Sequence, residues 1–216
     1  MIMTKQCIWS VVVEYFRLFR YGFLVPLRSS DDTDGCLETP SHASDMQEQL
    51  AFLHAAMTQD VVLGALHGVD ALIEQWHRYS SYFGELHFEL KRMETEPSGA
   101  MIASATLSVT ITETTLRCVF PHLLDPGSGG GENEDSQLCA RLVGQRIDCR
   151  CSVRFLWDDE IGRVTRLETN MDLLTPLLRV LGSLEDVAYV LTRALITPEY
   201  VIGERDSHLS IAFPLD

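Results

Sequence analysis

Residues 101–112 alternate with a period of two. Met101, Ala103, Ala105, Leu107, Val109 and Ile111 are apolar, while Ser104, Thr106, Ser108, Thr110 and Thr112 carry hydroxyls. Only an extended chain sends successive side chains to opposite faces, so a run of this length is a long strand with one face on a core and the other wet or lining a cavity. The pattern returns at Cys149, Cys151, Val153, Phe155 and Trp157 against Arg150, Ser152, Arg154 and Asp158. Two long half-buried strands therefore organise the chain.

A chain of 216 residues can bury one sizeable core and does not require two domains. Its 31 acidic residues against 17 Lys and Arg give a formal charge of -14, a mean field that repels phosphate. Direct nucleic-acid binding by these residues alone is disfavoured, because such binding draws most of its strength from Lys and Arg on phosphates. Six scattered cysteines in a chain with ample apolar content do not resemble a secreted disulfide framework and read as reduced intracellular thiols. Lys5 and the apolar residues 7–13 imitate the start of a signal peptide, but Glu14, Arg17 and Arg20 interrupt the run. No stretch reaches the roughly 20 apolar residues of a membrane span, so no membrane partner is expected.

Apolar residues at helical spacing (Val12, Tyr15, Phe16, Phe19, Phe23) predict a helix over 9–23, and others follow at 49–57 and 69–83, where Leu72, Ile73, Trp76, Tyr79 and Phe83 share one face. Residues 86–91 alternate and, after the turn Glu96-Pro97-Ser98-Gly99, form a hairpin with the long strand; 146–157 and 163–171 form a second. Helices are predicted over 173–181 and 183–195, the latter capped by Ser183. Two stretches rich in acids, Gly and Ser, about 26–47 and 125–137, read as flexible inserts that the fold can spare, and 203–216 as a tail. The expected architecture is α+β: one domain over 1–202, with N-terminal helices packed on a curved, mainly antiparallel four-stranded sheet, and C-terminal helices. Trp76 and Phe155 are expected deep in its core.

The stretches Glu14-Tyr15-Phe16-Arg17-Leu18-Phe19-Arg20-Tyr21-Gly22-Phe23, Glu74-Gln75-Trp76 with Arg78-Tyr79-Ser80, Ser108-Val109-Thr110-Ile111-Thr112, Val119-Phe120-Pro121-His122-Leu123, Gly144-Gln145-Arg146, Ser152-Val153-Arg154-Phe155 with Trp157-Asp158, and Leu181-Gly182-Ser183-Leu184-Glu185-Asp186-Val187 carry a resemblance. The sequence resembles the domain found carboxy-terminal to the basic leucine zipper (bZIP) in transcription-factor-like proteins of oomycetes. That domain is similar to the cone-shaped nuclear transport factor 2-like (SnoaL-like) fold, which agrees with the order of helices and strands above. Residues ahead of Trp9 hold neither a basic region nor heptads, so the resemblance implies the appended domain and not the DNA-binding one.

Cone folds of this kind often hold a pocket where an Asp, His or Tyr moves a proton on a hydrophobic substrate, as in ketosteroid isomerase. The candidates by residue type are Asp60, Asp70, His77, Tyr79, Tyr82 and His87. His77 falls on the polar flank of its helix, and His87 on the face opposite Leu86 and Phe88, so both read as surface groups. A tyrosine on the apolar face, as Tyr79 is, more often sends its hydroxyl to a backbone carbonyl. No carboxylate occupies the expected inner strand faces. Cys149 and Cys151 share a face without a second ligand pair, so no metal or cofactor is expected.

Pocket candidates are therefore Tyr15, Trp76, Tyr79, Phe155 and Trp157, open to a small hydrophobic ligand. The hydroxyl face at Thr106, Ser108 and Thr110 is the candidate interface, on an exposed sheet surface that keeps strand propensity while staying wettable. The expectation is a non-enzymatic interaction or ligand-sensing domain, forming a homodimer or a heterodimer with related domains, nuclear if it works with a bZIP partner and otherwise cytoplasmic. The alternative is a small pocket enzyme, an isomerase or dehydratase in style, with general acid–base chemistry.

Overall fold

The computed structural model describes residues 7–23, 40–124 and 132–203. Seven α-helices and six strands are present among them, in the order α1 (Ile8–Leu18), α2 (Pro40–Ala56), β1 (Met57–Leu63), β2 (Leu66–His67), α3 (Val69–Tyr82), β3 (Gly84–Thr95), β4 (Met101–Thr110), α4 (Glu113–Cys118), a 3-10 turn (Pro121–Leu123), α5 (Glu132–Leu142), β5 (Arg146–Asp158), β6 (Arg163–Met171), α6 (Leu174–Leu181) and α7 (Leu184–Thr192). The fold is α+β. One sheet of order β2-β1-β6-β5-β4-β3 carries it, and its two long hairpins are those read from the alternation.

The sheet differs from the expected four strands in two ways. Met57–Leu63 adds a strand that runs parallel to β6, and Leu66–His67 folds back on it as a short antiparallel edge. This strand begins at the residue after α2 ends, with no Gly or Pro to mark the change. Met57, Thr58 and Val61 are buried while Gln59 and Asp60 are exposed, so its burial does not alternate. A parallel strand answers to a distant partner, and local pattern cannot announce it.

The acidic inserts are shorter than composition implied. Residues 40–47 are the first half of α2, with Pro40 in the first turn, where its missing N–H costs nothing. Residues 132–137 belong to α5, which is fixed to the core through Leu138 and Leu142. The remainder of both inserts, 26–39 and 125–131, and the tail from 204 lie outside the described residues. The last helix ends at Thr192 rather than 195, because residues 195–203 turn back over the sheet.

One face of the sheet is the floor of the core. Met101, Ala103, Ala105, Leu107 and Val109 of β4 and Ile147, Cys149, Cys151, Val153 and Phe155 of β5 are all buried. Helix α1 lies on this floor through Val12, Tyr15 and Phe16. The Tyr15 ring meets Phe155 edge-on at 5.4 Å, and Phe16 meets Phe88 at 4.5 Å. Helix α3 places Trp76 against Phe19 at 4.7 Å and Phe88 at 5.7 Å, so Trp76 and Phe155 are core residues at 9% and 0% exposure. Buried Gln49 of α2 donates through Nε2 to the Leu18 and Gly22 carbonyls, and the Phe88 N–H donates to the Arg20 carbonyl at 2.7 Å. These bonds satisfy backbone groups where α1 ends and fix the helix to both α2 and β3.

Candidate functional site

A cavity of about 80 Å³ lies between α3 and the inner face of the sheet. Its walls are mostly apolar: Leu72 and Trp76 from α3, Phe88, Leu107, Val153 and Leu167 from the strands. Three of the five pocket candidates meet here. Tyr15, Trp76 and Tyr79 line the cavity, and the Trp76 Nε1–H donates to the Tyr15 hydroxyl at 2.9 Å. Phe155 lies beneath it, fully buried under Tyr15, and does not reach the space. Trp157 is not part of the cavity either. The last β4–β5 pair is Met101 with Phe155, so Trp157 projects past the end of β4, and a register shift after Leu156 breaks the alternation that placed it inward.

Residues missed by pattern reading make the roof. After α7 the chain forms a short strap, closed by an antiparallel bridge between Ile196 and Ile202 and by a turn at Thr197–Tyr200. Helix α3 holds the strap with three side chains at spacing i, i+3, i+4, one face of the helix. Gln75 donates through Nε2 to the Ile202 carbonyl at 3.1 Å and accepts from the Ile202 N–H at 2.8 Å. Arg78 donates from Nη1 to the same carbonyl at 2.7 Å, and the Tyr79 hydroxyl donates to the Tyr200 carbonyl at 2.7 Å. Tyr200, at φ +61°, donates its hydroxyl to the Met171 carbonyl. The signal for this clamp was the pair of polar residues, Gln75 and Arg78, on the edge of an apolar stripe.

Burial keeps the thiols and phenols around the cavity in their neutral forms. It pushes the Cys149 and Cys151 thiols up to about 12 and raises Tyr15 and Tyr79 well above an ordinary phenol. Glu199 is the only carboxylate among the described residues of the lining, and it is exposed. Of the polar candidates, Asp60 and Asp70 are exposed outside the cavity; His77, Tyr82 and His87 are half-buried and also outside it. His87 accepts a hydrogen bond from Arg20 Nε at 3.1 Å, and its ring lies tilted against Tyr21 at 5.4 Å.

The opposite face of the sheet carries the interface candidates. Ser108 is buried and donates to Asp148 Oδ1 at 2.5 Å; Thr110 donates to Glu85 Oε2 at 3.0 Å. Thr106 opens on a depression of about 500 Å³, shared with Ser104, Arg150, Ser152 and Asn170. At one end Arg154 binds Glu96 at 2.7 Å and Glu168 at 2.8 Å, and its guanidinium holds the Glu96 carboxyl below the usual range. A second titratable group, His122, is buried beside Tyr189, Asp135 and Arg193, and burial lowers its pKa.

Comparison with known proteins gives a likeness over part of the chain. Residues 9–82 match the BZIP transcription factor 1 C-terminal domain. The matched stretch carries α1, α2, β1, β2 and α3, so it includes Tyr15 and the whole strap clamp of Gln75, Arg78 and Tyr79. Among curated proteins, bZIP transcription factor 1 from Phytophthora infestans is 38% identical over 79 residues, 37% of this chain and 32% of the relative. The chain thus aligns with about a third of that protein's length. Over residues 9–82 this match shows the resemblance read from the motifs at 14–23 and 74–80.

Solved structures with similar folds include a SnoaL-like polyketide cyclase from Agrobacterium tumefaciens, 12% identical, covering 82% of this chain and 99% of that one with a TM-score of 0.49. TsrD from Streptomyces laurentii is 15% identical over 82% and 98%, TM-score 0.46. An NTF2-like protein from Exiguobacterium is 11% identical over 76% and 98%, TM-score 0.44.

Proposed function

We propose that this chain is a non-enzymatic interaction domain of the bZIP-associated kind, that it pairs through the outer face of its sheet with a second copy or a related domain, and that it works in the nucleus. The observation that carries the reading is the match over α1 to α3 to a transcription-factor domain. The character of the cavity supports it. At about 80 Å³ the space is below the roughly 300 to 1,000 Å³ of small-molecule sites. Its hydroxyl-bearing tyrosines are engaged by Trp76, by the strap and by Met171, and general acid–base chemistry needs a group free to exchange a proton.

The outer sheet face offers Thr106 and the depression around it, bordered by the polar side chains of Ser104, Arg150, Ser152 and Asn170, which suits exchange between partners. With a charge of -14 the chain acts on DNA through a partner. Paired with a zipper-bearing relative it would lower that relative's DNA occupancy, because zipper readers need two basic arms across the groove. Co-purification with full-length bZIP transcription factor 1, with and without Thr106→Glu and Thr110→Glu, tests this. Capture lost in the double variant is the expected result; no capture by an unaltered chain that is also monomeric, or a salt-sensitive DNA complex formed by it alone at micromolar concentration, overturns the reading.

A further inference from the structure

Strand register fixes the order of charges on the outer sheet face. Cross-strand pairing sets two neighbouring rows there, Glu89–Thr106–Arg150 and His87–Ser108–Asp148, each running from β3 through β4 to β5. Lys91, Arg92, Arg146 and Arg154 of this face are all paired with carboxylates of their own chain. Arg150 and Asp148 are exposed, and among the described residues neither makes an ion pair: Asp148 accepts only from Ser108, and the Arg150 guanidinium donates no hydrogen bond. Two positions apart on one strand, they stand about 7 Å from each other and do not meet.

A second copy, turned about a two-fold axis, supplies both with partners. The axis lies in the plane of contact, crosses the strands at right angles and passes at the level of Cys149, midway between the rows. Rotation about it reverses the strand direction and exchanges the rows, so Arg150 of each copy stands over Asp148 of the other, Thr106 over Ser108 and Glu89 over His87. Every one of these pairs is complementary. The Ser108 hydroxyl, whose proton goes to Asp148, can accept from Thr106, and His87, whose Nε2 accepts from Arg20, has its Nδ1–H left to donate to Glu89. Other axes do worse: through Arg150 or along β5 the guanidinium meets its own image, and at the level of Cys151 it meets Ser152 and gains no counter-charge. Twisted sheets stacked face to face cross at about 30°, so the match is best beside the axis, where Arg150, Asp148, Thr106 and Ser108 stand.

We infer that the chain pairs with a second copy of itself about this axis, with the reciprocal Arg150–Asp148 contacts setting the register. The inference rests on the sheet-face pairing proposed above and adds to it the partner and the residues that select it.

Sedimentation equilibrium of the full chain at physiological ionic strength tests this with Arg150→Asp, Asp148→Arg and an equimolar mixture of the two. Each single variant turns two attractions per dimer into repulsions and should weaken self-association by about tenfold or more. The mixture should form a heterodimer about as tight as the unaltered dimer, because acid then meets base at both positions. Asp148→Arg separates pairing from mean charge, since it makes a chain of charge -14 less negative and overall repulsion alone would predict a tighter dimer. If loss of the Ser108 bond lowers the melting of that variant, Arg150→Asp beside Arg150→Lys carries the test, the first losing the dimer and the second holding it. An unaltered chain that stays monomeric, a mixture no tighter than its components, Asp148→Arg that pairs more tightly, or Arg150→Asp that pairs as well as Arg150→Lys overturns the inference. A dimer dissolved by Thr106→Glu with Thr110→Glu but untouched by the charge variants overturns this register alone and leaves the sheet-face reading standing.

Discussion

Replacing Trp76 probes the joint between the region matched to the transcription-factor domain and the sheet. Its indole stacks on Phe19 at 4.7 Å, meets Phe88 edge-on and borders a cavity already present, so Trp76→Ala enlarges a void that neighbours cannot collapse around. Large aromatic deletions of this kind cost about 3 to 5 kcal/mol. Trp76→Phe keeps most of the ring contact but withdraws the Nε1–H from the buried Tyr15 hydroxyl, a loss of about 1 to 3 kcal/mol. If that orphaned hydroxyl is the cause, adding Tyr15→Phe to Trp76→Phe recovers part of the loss, and the pair is less costly than the sum of its singles. Urea melts followed by far-UV circular dichroism give the values for Trp76→Ala, the two single phenylalanine variants and their pair. At about 2 to 4 °C per kcal/mol for a domain of this size, Trp76→Ala should lower the Tm by roughly 6 to 20 °C. A loss below about 1 kcal/mol for Trp76→Ala, or strict additivity of the two phenylalanine variants, refutes the packing and the bond respectively.

Gly22 sits at φ +81°, where an added β-carbon would stand only 2.5 Å from Ser80 Oγ, which accepts from the Phe23 N–H and donates to the Trp76 carbonyl; Gly22→Ala should destabilise by more than about 1 kcal/mol in the same melts. Gln75→Ala removes the partner of the Ile202 N–H and one of the two donors to its carbonyl, and should speed hydrogen exchange across 197–203 while leaving β4 and β5 unchanged; uniform acceleration would mean that the clamp is not local. His122 has a pKa lowered by burial, so the unfolded chain takes up its proton first as pH falls below about 6.5. Its contribution is therefore full above that pH and lost on acidification, and His122→Gln should flatten the fall in stability between pH 7 and pH 5; an unchanged slope contradicts the assignment. Alkylation at pH 7.5, read by mass spectrometry, should modify exposed Cys7, whose thiol is lowered by hydrogen bonds from Ser10 and its backbone, long before Cys149 and Cys151; early labelling of the strand pair contradicts their burial.

The sheet's long hairpins were legible because alternation is a local record of which face a residue takes, and β4 and β5 keep it over their whole paired length. It failed where partners are distant. Nothing near Met57 announces a parallel strand that aligns with β6 more than a hundred residues later, and Trp157 carries the right parity but stands beyond the end of β4. The cavity was legible as far as the helical wheel reached, giving Tyr15, Trp76 and Tyr79 from α1 and α3, and the reading that Tyr79 meets a backbone carbonyl is met by Tyr200. Its roof was not, because Gln75 and Arg78 act on a backbone carbonyl more than 120 positions away, and a carbonyl has no sequence signature. Ser183 did mark its helix, accepting from the Asp186 N–H at 3.3 Å, since a cap and its helix are neighbours in sequence.

Sedimentation equilibrium of the full chain beside a variant with Thr106→Glu and Thr110→Glu tests pairing through the outer sheet face most directly. Two like charges per copy, set on a surface meant to face its own image, repel across a symmetric interface. The account predicts a concentration-dependent dimer for the unaltered chain and a monomer for the variant, with both melting alike. A chain that stays monomeric at high micromolar concentration and captures no zipper-bearing relative, or a dimer untouched by the two substitutions, contradicts it.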